Sequence, residues 1–305
     1  MKIITSIVAA SILLASCSQY EKTKSGLTYK ITSGGSKEKL KQGQFVKMNI
    51  RFSIGTKDSV LNSTYEHIPA YLMVDTSRSA KYSFTELLPL CAKGDKIEFV
   101  LSIDTLKKLG MIPEYNNVFT KNGTIKGKFD VIKVFTNEQE VNADYQKEVE
   151  TEKQKEITAL EKYTKDKNIK TVKSPGGVLV EIENAGSDPK ADTGKQVSVF
   201  YKGYTVDGKV FDTNMGSAAT NKNPYPVVIG RHGVIPGWEE GLKFFGKSGK
   251  GKLFVPSLLA YGIQGNPPVI MPFTNLIFDI EIADVTAAPA PTAPQMPQMP
   301  ASPHH

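Results

Sequence analysis

The chain has 305 residues, 40% of them hydrophobic and 23% charged, the balance of a soluble globular protein with room for two or three domains. Its formal net charge of +7 comes from 38 Lys and Arg mixed among 31 Asp and Glu, with no long basic run, which argues against a nucleic-acid surface. Two cysteines, Cys17 and Cys91, and four histidines without ligand spacing leave little material for disulfide or metal chemistry.

Residues 1–17 differ in kind from the rest. Lys2 precedes an apolar run from Ile3 to Leu14, followed by Leu14-Ala15-Ser16-Cys17. The run is too short to span a bilayer, and its charge-apolar-small order is that of a secretory signal. The ending resembles a bacterial lipobox, which implies cleavage before Cys17 and lipid on that residue. An ordinary signal peptide cut nearby is the alternative. Ser18-Gln19 lacks the Asp that retains some lipoproteins in the inner membrane, so the expected placement is the outer membrane, facing periplasm or surface.

Residues 20–136 and 171–286 read as two copies of one plan, the first of them degenerate. Ser25–Ile31 answers Gly176–Ile182, Gly94–Val100 answers Gly249–Val255, and Phe129–Val134 answers Phe278–Ile282. The order is kept at a near-constant offset, the mark of a duplicated domain. Cys91, in Leu87-Leu88-Pro89-Leu90-Cys91, reads as a buried small hydrophobe. Residues 137–170 are rich in Glu, Lys and Gln and free of Gly and Pro, which predicts a helix. Its thin stripe of Val141, Tyr145, Val149, Ile157, Leu160 and Tyr163 predicts an exposed spacer, with homodimer pairing as the alternative. From 287 to 305 the chain is Pro, Ala, Gln and Met without periodicity, which predicts a disordered tail.

The second copy reads as strands. Val197, Val199 and Tyr201 alternate with Gln196, Ser198 and Phe200, and Leu276, Phe278, Ile280 and Ile282 with partners that include Asp279 and Glu281. Asp207-Gly208 predicts a two-residue hairpin turn into Val210-Phe211. Only the stretch around Trp238 reads as helix. The predicted class is α+β, each domain a twisted antiparallel sheet with a short helix packed on it, the two joined by a charged helix.

That short helix lies in Val234-Ile235-Pro236-Gly237-Trp238-Glu239-Glu240-Gly241, which holds the sole Trp of the chain. Pro suits a helix's first turn, and acids there suit its dipole. The octapeptide alone does not choose between a core Trp and the floor of a ligand pocket. No nucleophile-and-base set and no phosphate loop appears. Aromatic and aliphatic residues recur instead at turns and strand ends, the material of a greasy pocket for a small apolar unit such as a proline ring.

Val199-Phe200-Tyr201-Lys202-Gly203, Asp207–Asp212, Val234–Gly241, Leu259-Ala260-Tyr261-Gly262 and Leu276-Ile277-Phe278-Asp279 together resemble an FKBP-type peptidyl-prolyl isomerase over residues 174–285. The whole chain resembles the two-domain bacterial lipoprotein form of that family. The resemblance implies catalytic roles for Tyr201, Phe211, Asp212, Trp238, Tyr261 and Phe278, with Trp238 as floor and Tyr201, Phe211 and Phe278 as walls. It implies substrate contacts at Tyr225, Val234, Ile235 and Ile270, no cofactor and no metal, and proline-containing unfolded or exported polypeptides as partners. Gly233, Leu259 and Asn266–Pro272 depart from the family pattern and put rim specificity in question. In the first copy Leu61-Asn62 take the place of Phe211-Asp212, there is no Trp, and Ser102–Leu106 leads to no Ala-Tyr-Gly, so that copy is expected to be inactive. A non-catalytic chaperone or interaction lipoprotein on the same fold is the alternative function.

Overall fold

In a computed structural model, which describes residues 19–77, 81–112, 114–217 and 219–289, the chain divides into two compact units, Met1–Val149 and Glu150–His305. Cys17 and residues 290–305 lie outside the described residues, and with them the expected lipidation site and most of the expected tail. Among the described residues no helix is long and apolar enough to cross a membrane.

In chain order the first unit contains β1 Glu21–Lys22, β2 Thr28–Thr32, β3 Phe45–Ile54, β4 Ser59–Ser63, β5 Ala70–Met73, a 3-10 turn Phe84–Leu90, β6 Lys96–Ser102, α1 Ile103–Lys108 and β7 Thr124–Phe135. The strands form one antiparallel sheet in the order β1-β2-β6-β7-β3-β4, with β5 also on β3. Ile97, Phe99 and Leu101 alternate with the less buried Lys96, Glu98, Val100 and Ser102 along β6 and face inward with Met48, Ile50, Phe129 and Val131. Cys91 is buried, its Sγ donating to the Leu87 carbonyl at 3.1 Å. Burial and the nearby Asp95 push its thiol up to about 12, which keeps it unreactive.

Helix α2 spans Glu138–Asp166. Asn137 caps it, accepting from the Glu140 N–H at 2.9 Å while its own amide donates to the Glu140 carboxylate at 3.0 Å. Within the first unit Asp144 accepts from Lys47 at 2.6 Å, Tyr71 at 2.7 Å and Lys133 at 2.9 Å, and Tyr145 sets its ring edge-on to Tyr71. Within the second unit Glu152, Glu156, Leu160 and Thr164, each four residues on, are buried together with Ile157. Leu160 packs with Leu179, Phe254 and Ile277. The stripe expected from apolar residues alone is thin because half of this docking face is polar.

The second unit continues with β8 Val172–Lys173, β9 Leu179–Asn184, β10 Ser187–Lys190, β11 Lys195–Thr205, β12 Val210–Thr213, β13 Tyr225–Val228, α3 Pro236–Gly241 running into a 3-10 turn Leu242–Phe244, β14 Gly246–Lys247, β15 Lys250–Val255, a 3-10 turn Ser257–Leu259 and β16 Leu276–Ala287. Its main sheet has the order β8-β9-β15-β16-β11-β12, with β13 also on β11, and β10 pairs with β14 apart from it. Strand for strand the main sheet has the topology of the first unit's sheet. The α+β class and the antiparallel sheets expected from the sequence are what the structure has.

Three details differ from expectation. The hairpin after β11 has a three-residue loop: the Thr205 N–H donates to Lys209 and the Gly208 N–H to Thr205, at 3.0 and 2.8 Å. A two-residue Asp-Gly turn of the primed type needs positive φ at both residues, and only Gly208, at φ 88°, has it. The last strand runs on to Ala287, the Ala288 N–H donates to Gly194 at 3.2 Å, and Pro289 accepts from Arg231 at 2.7 Å, so the ordered chain enters the expected tail.

The third difference is the internal alignment. Both sheets carry a bulge at corresponding places, between Lys47 and Met48 and between Ser198 and Val199. Counting from it, Ile50 takes the place of Tyr201, Phe52 that of Gly203, Phe129 that of Ile280 and Gly127 that of Phe278. Phe99 takes the place of Leu253. The sequence pairing of Phe129 with Phe278 is therefore two residues out, and that of Phe99 with Phe254 one residue out. Similar letters on neighbouring strands attract each other in a comparison, whereas hydrogen-bond register fixes which side chains share a position.

Candidate active site

The second unit's pocket is assembled from six separate pieces of chain, Tyr225 of β13 and Tyr261 beyond the Ser257–Leu259 turn among them. Tyr201 comes from β11, Phe211 and Asp212 from β12, Trp238 from α3 and Phe278 from β16. The strand pair β11–β12 shifts register so that Gly203 faces Asp212 and Tyr204 faces Val210, which leaves Phe211 as the extra residue of a bulge. The bulge turns the Phe211 ring over Gly203. A Cβ on Gly203 would lie 2.6 Å from Phe211 and 2.9 Å from Phe278, so only glycine admits both rings.

Trp238 is 5% exposed and sits at the base. Pro236 opens its helix, Ile235 is the cap residue, and the Trp238 N–H donates to the Ile235 carbonyl at 2.9 Å. Tyr201, Phe278 and Tyr225 meet the indole edge-on, with ring centroids 5.1, 5.3 and 6.5 Å away. Phe211 meets Phe278 in the same manner at 5.7 Å. These are the preferred geometries for aromatic pairs. The indole Nε1–H is buried without a protein partner, which costs about 1–3 kcal/mol. A ring kept at that cost is held for its shape.

The cavity above Trp238 measures about 460 Å³ and is lined by Tyr201, Phe211, Asp212, Tyr225, His232, Gly233, Val234, Ile235, Trp238, Tyr261 and Phe278. Its polar side chains are Tyr201, Asp212, Tyr225, His232 and Tyr261. The Tyr201 hydroxyl donates to Asp212 at 2.6 Å. Burial, reinforced by that bond, holds the Tyr201 phenol well above its ordinary value. Burial, with the charge of Asp212, also raises Tyr261. Both phenols are hydrogen-bond donors at neutral pH. Among the described residues there is no cluster of three or more His, Cys, Asp or Glu able to hold a metal ion.

Nine of the ten residues that the sequence points to line this one cavity. Ile270 does not: it is 2% exposed and packed in the core. Its N–H and carbonyl are both bonded to Asn266, a bridge that turns the side chain inward. Two contributors were not legible as site residues. Asn214 is buried; its side-chain oxygen accepts from the Tyr201 N–H at 2.6 Å, and its amide donates to Val199 and Asn223 at 3.0 Å each. It pins the backbone under Tyr201 and the neck of the loop that follows. His232 stands on the rim at φ 53°, its N–H donating to Glu239 at 2.7 Å. An Asn after a strand end and a His in a turn carry no motif, so only the fold could place them.

The comparisons agree with this geometry. A family model for the FKBP-type peptidyl-prolyl cis-trans isomerases matches residues 187–283. The FKBP-type peptidyl-prolyl cis-trans isomerase FkpA of Escherichia coli K12 is 41% identical over 129 residues, 42% of this chain and 44% of FkpA. The chain thus spans less than half the length of that relative. An FK506-binding protein of Neisseria meningitidis serogroup B is 34% identical over 110 residues, which is 36% of this chain but 97% of the Neisseria protein. The chain belongs to the FKBP-type peptidyl-prolyl cis-trans isomerase family. The crystal structure of Escherichia coli FkpA aligns with 34% identity and a TM-score of 0.38, covering 50% of this chain and 69% of that one. The FKBP match falls wholly within the second unit, the one that holds the cavity.

Proposed function

We propose that the second unit accelerates cis-trans rotation about X-Pro bonds of polypeptides outside the cytoplasm, and that the chain is held at the envelope through lipid at Cys17. The observation that carries the catalytic reading is the aromatic cavity over Trp238, which gathers the hydrogen-bonded Tyr201–Asp212 pair and Tyr261. The proline ring enters between Tyr201, Phe211 and Phe278 and rests on Trp238. Val234 and Ile235 bound its edge, with the Ile235 N–H donating to the peptide and the Tyr261 hydroxyl to a substrate carbonyl.

Rotation about the amide meets a barrier of about 18–20 kcal/mol because resonance is lost midway. The twisted amide has less charge separation than either planar form, so a dry pocket favours it relative to water. Donors that fit the twisted form best lower the barrier further. No bond breaks, which suits a site built from aromatic rings, phenol hydroxyls and one carboxylate. Asp212, oriented by Tyr201, lies where the rotating carbonyl or nitrogen changes its polarity.

The test is a protease-coupled X-Pro peptide assay on the full chain. Turnover well above background, lost when Phe211 and Asp212 are both replaced by Ala, is the expected result. Peptide binding without turnover would instead make the domain a non-catalytic chaperone or interaction module.

A further inference from the structure

Glu156 is 4% exposed on α2, outside the cavity and outside the segment matched to the family. Its carboxylate accepts two hydrogen bonds from one 3-10 turn, one from the Ser257 Oγ–H and one from the Leu258 N–H at 3.1 Å. The cap residue of that turn is Pro256, which makes no side-chain capping bond. Glu156 therefore does from another element what a Ser or Asp cap does within its own chain.

The turn leads directly into Tyr261. The Ser257 carbonyl accepts from the Ala260 and Gly262 N–H groups, both at 2.8 Å, so one residue anchors both sides of Tyr261. Asn275 accepts from the Ser257 N–H at 2.9 Å and fixes the same residue from the β16 side. Apolar neighbours already dock the helix: Leu160 packs on Phe254, and Ile157 lies against Gly177. A buried carboxylate is a costly residue for packing alone, since it must be matched by donors.

We infer that Glu156 is a positioning residue for the isomerase site, acting through Ser257 to hold the Tyr261 hydroxyl over the cavity. The inference rests on the proposed role of Tyr261. Its test is a double-mutant cycle of Glu156→Leu with Tyr261→Phe, read both as X-Pro turnover and as affinity for a proline peptide followed by Trp238 fluorescence. Residues coupled through one element give non-additive effects. Glu156→Leu is expected to lower affinity and kcat/KM about fivefold, and the double variant to be no worse than Tyr261→Phe alone. Ser257→Ala should reproduce the loss, which guards against a Glu156→Leu protein that does not fold. Leu160→Ala should lower Tm yet leave the Tyr261 coupling intact.

Fully additive losses, or wild-type affinity and turnover in both Glu156→Leu and Ser257→Ala, overturn the inference. If the wild-type protein binds the peptide without turnover, the catalytic reading fails while the affinity cycle still decides the role of Glu156.

Discussion

The two units share one topology and the same two bulges, yet one encloses a cavity and the other is filled at the corresponding place. The difference lies in where the large rings stand. In the second unit Gly203 lies under the Phe211 and Phe278 rings, leaving room above Trp238. In the first, Phe52 stands at the Gly203 position and Gly127 at the Phe278 position. A Cβ on Gly127 would lie 2.0 Å from the Phe99 ring, so Phe99 fills the space that Phe278 would need. Phe84 stands at the Trp238 position. The acid two residues after each ring marks the match: Glu86 accepts from Thr23 and Ser25, and Glu240 from Ser174 and Gly176. Phe52, Phe84, Phe99 and Phe129 then close on one another at centroid distances of 5.7–6.2 Å. Exchanging large for small across neighbouring strands turns a cavity into ordinary core without altering the backbone plan.

The comparison can be broken most severely at Phe99. If the first unit's ring cluster is core, Phe99→Ala costs that unit about 3–5 kcal/mol, read by urea unfolding, and leaves X-Pro turnover unchanged. Transplanting the first unit's arrangement comes next. Gly203→Phe combined with Phe278→Gly should lower kcat/KM by about 100-fold, or about 2.7 kcal/mol, in a protein that still folds. Near-normal turnover in a folded double variant would show that the rings do not define the site. Trp238→Phe, which copies Phe84, should cost about tenfold in kcat/KM because the smaller ring supports the proline less well.

The smallest effects concern pH. Burial opposes charge on Asp144, but its bonds from Lys47, Tyr71 and Lys133 outweigh this and hold the carboxyl below its ordinary value. A depressed carboxyl stabilises the fold above its unfolded value of about 4 and loses that contribution as pH falls below it. Asp144→Asn should therefore flatten the acid side of the first unit's stability curve. In the second unit the raised phenols of Tyr201 and Tyr261 stay protonated past the ordinary phenol value, so kcat/KM should remain level up to about pH 10. A fall centred at about pH 10 or below would mean that one of them is not held as the structure indicates.

The site residues were legible through the resemblance of five motifs taken together, and nine of the ten residues it named line one cavity. The Trp238 octapeptide alone left core and pocket open. The α+β class was equally legible, since strand alternation and one short helix follow from local patterning. What escaped has a common cause. The rings of the first unit, Asn214 under Tyr201 and Glu156 against Ser257 depend on contacts between distant segments, and the residues themselves are ordinary. Phe84 was invisible as a counterpart of Trp238 because only the carboxylate two residues on, with its partners far upstream, identifies the position. Ile270 was misplaced for the converse reason: an apolar residue between prolines looks like a rim, and one bridge to Asn266 decides otherwise.

The bonds from Ser174 and Gly176 to Glu240 also bear on what can be excised from this chain. The segment matched to the family begins at residue 187, downstream of both donors and of β9. A fragment cut to those limits would strip the strand from one edge of β15 and leave Glu240 without the donors that tie the Trp238 helix to the start of its domain. The part that carries the sequence signature is thus smaller than the part that can stand alone. A usable fragment has to reach back through Ser174 and into the second half of α2.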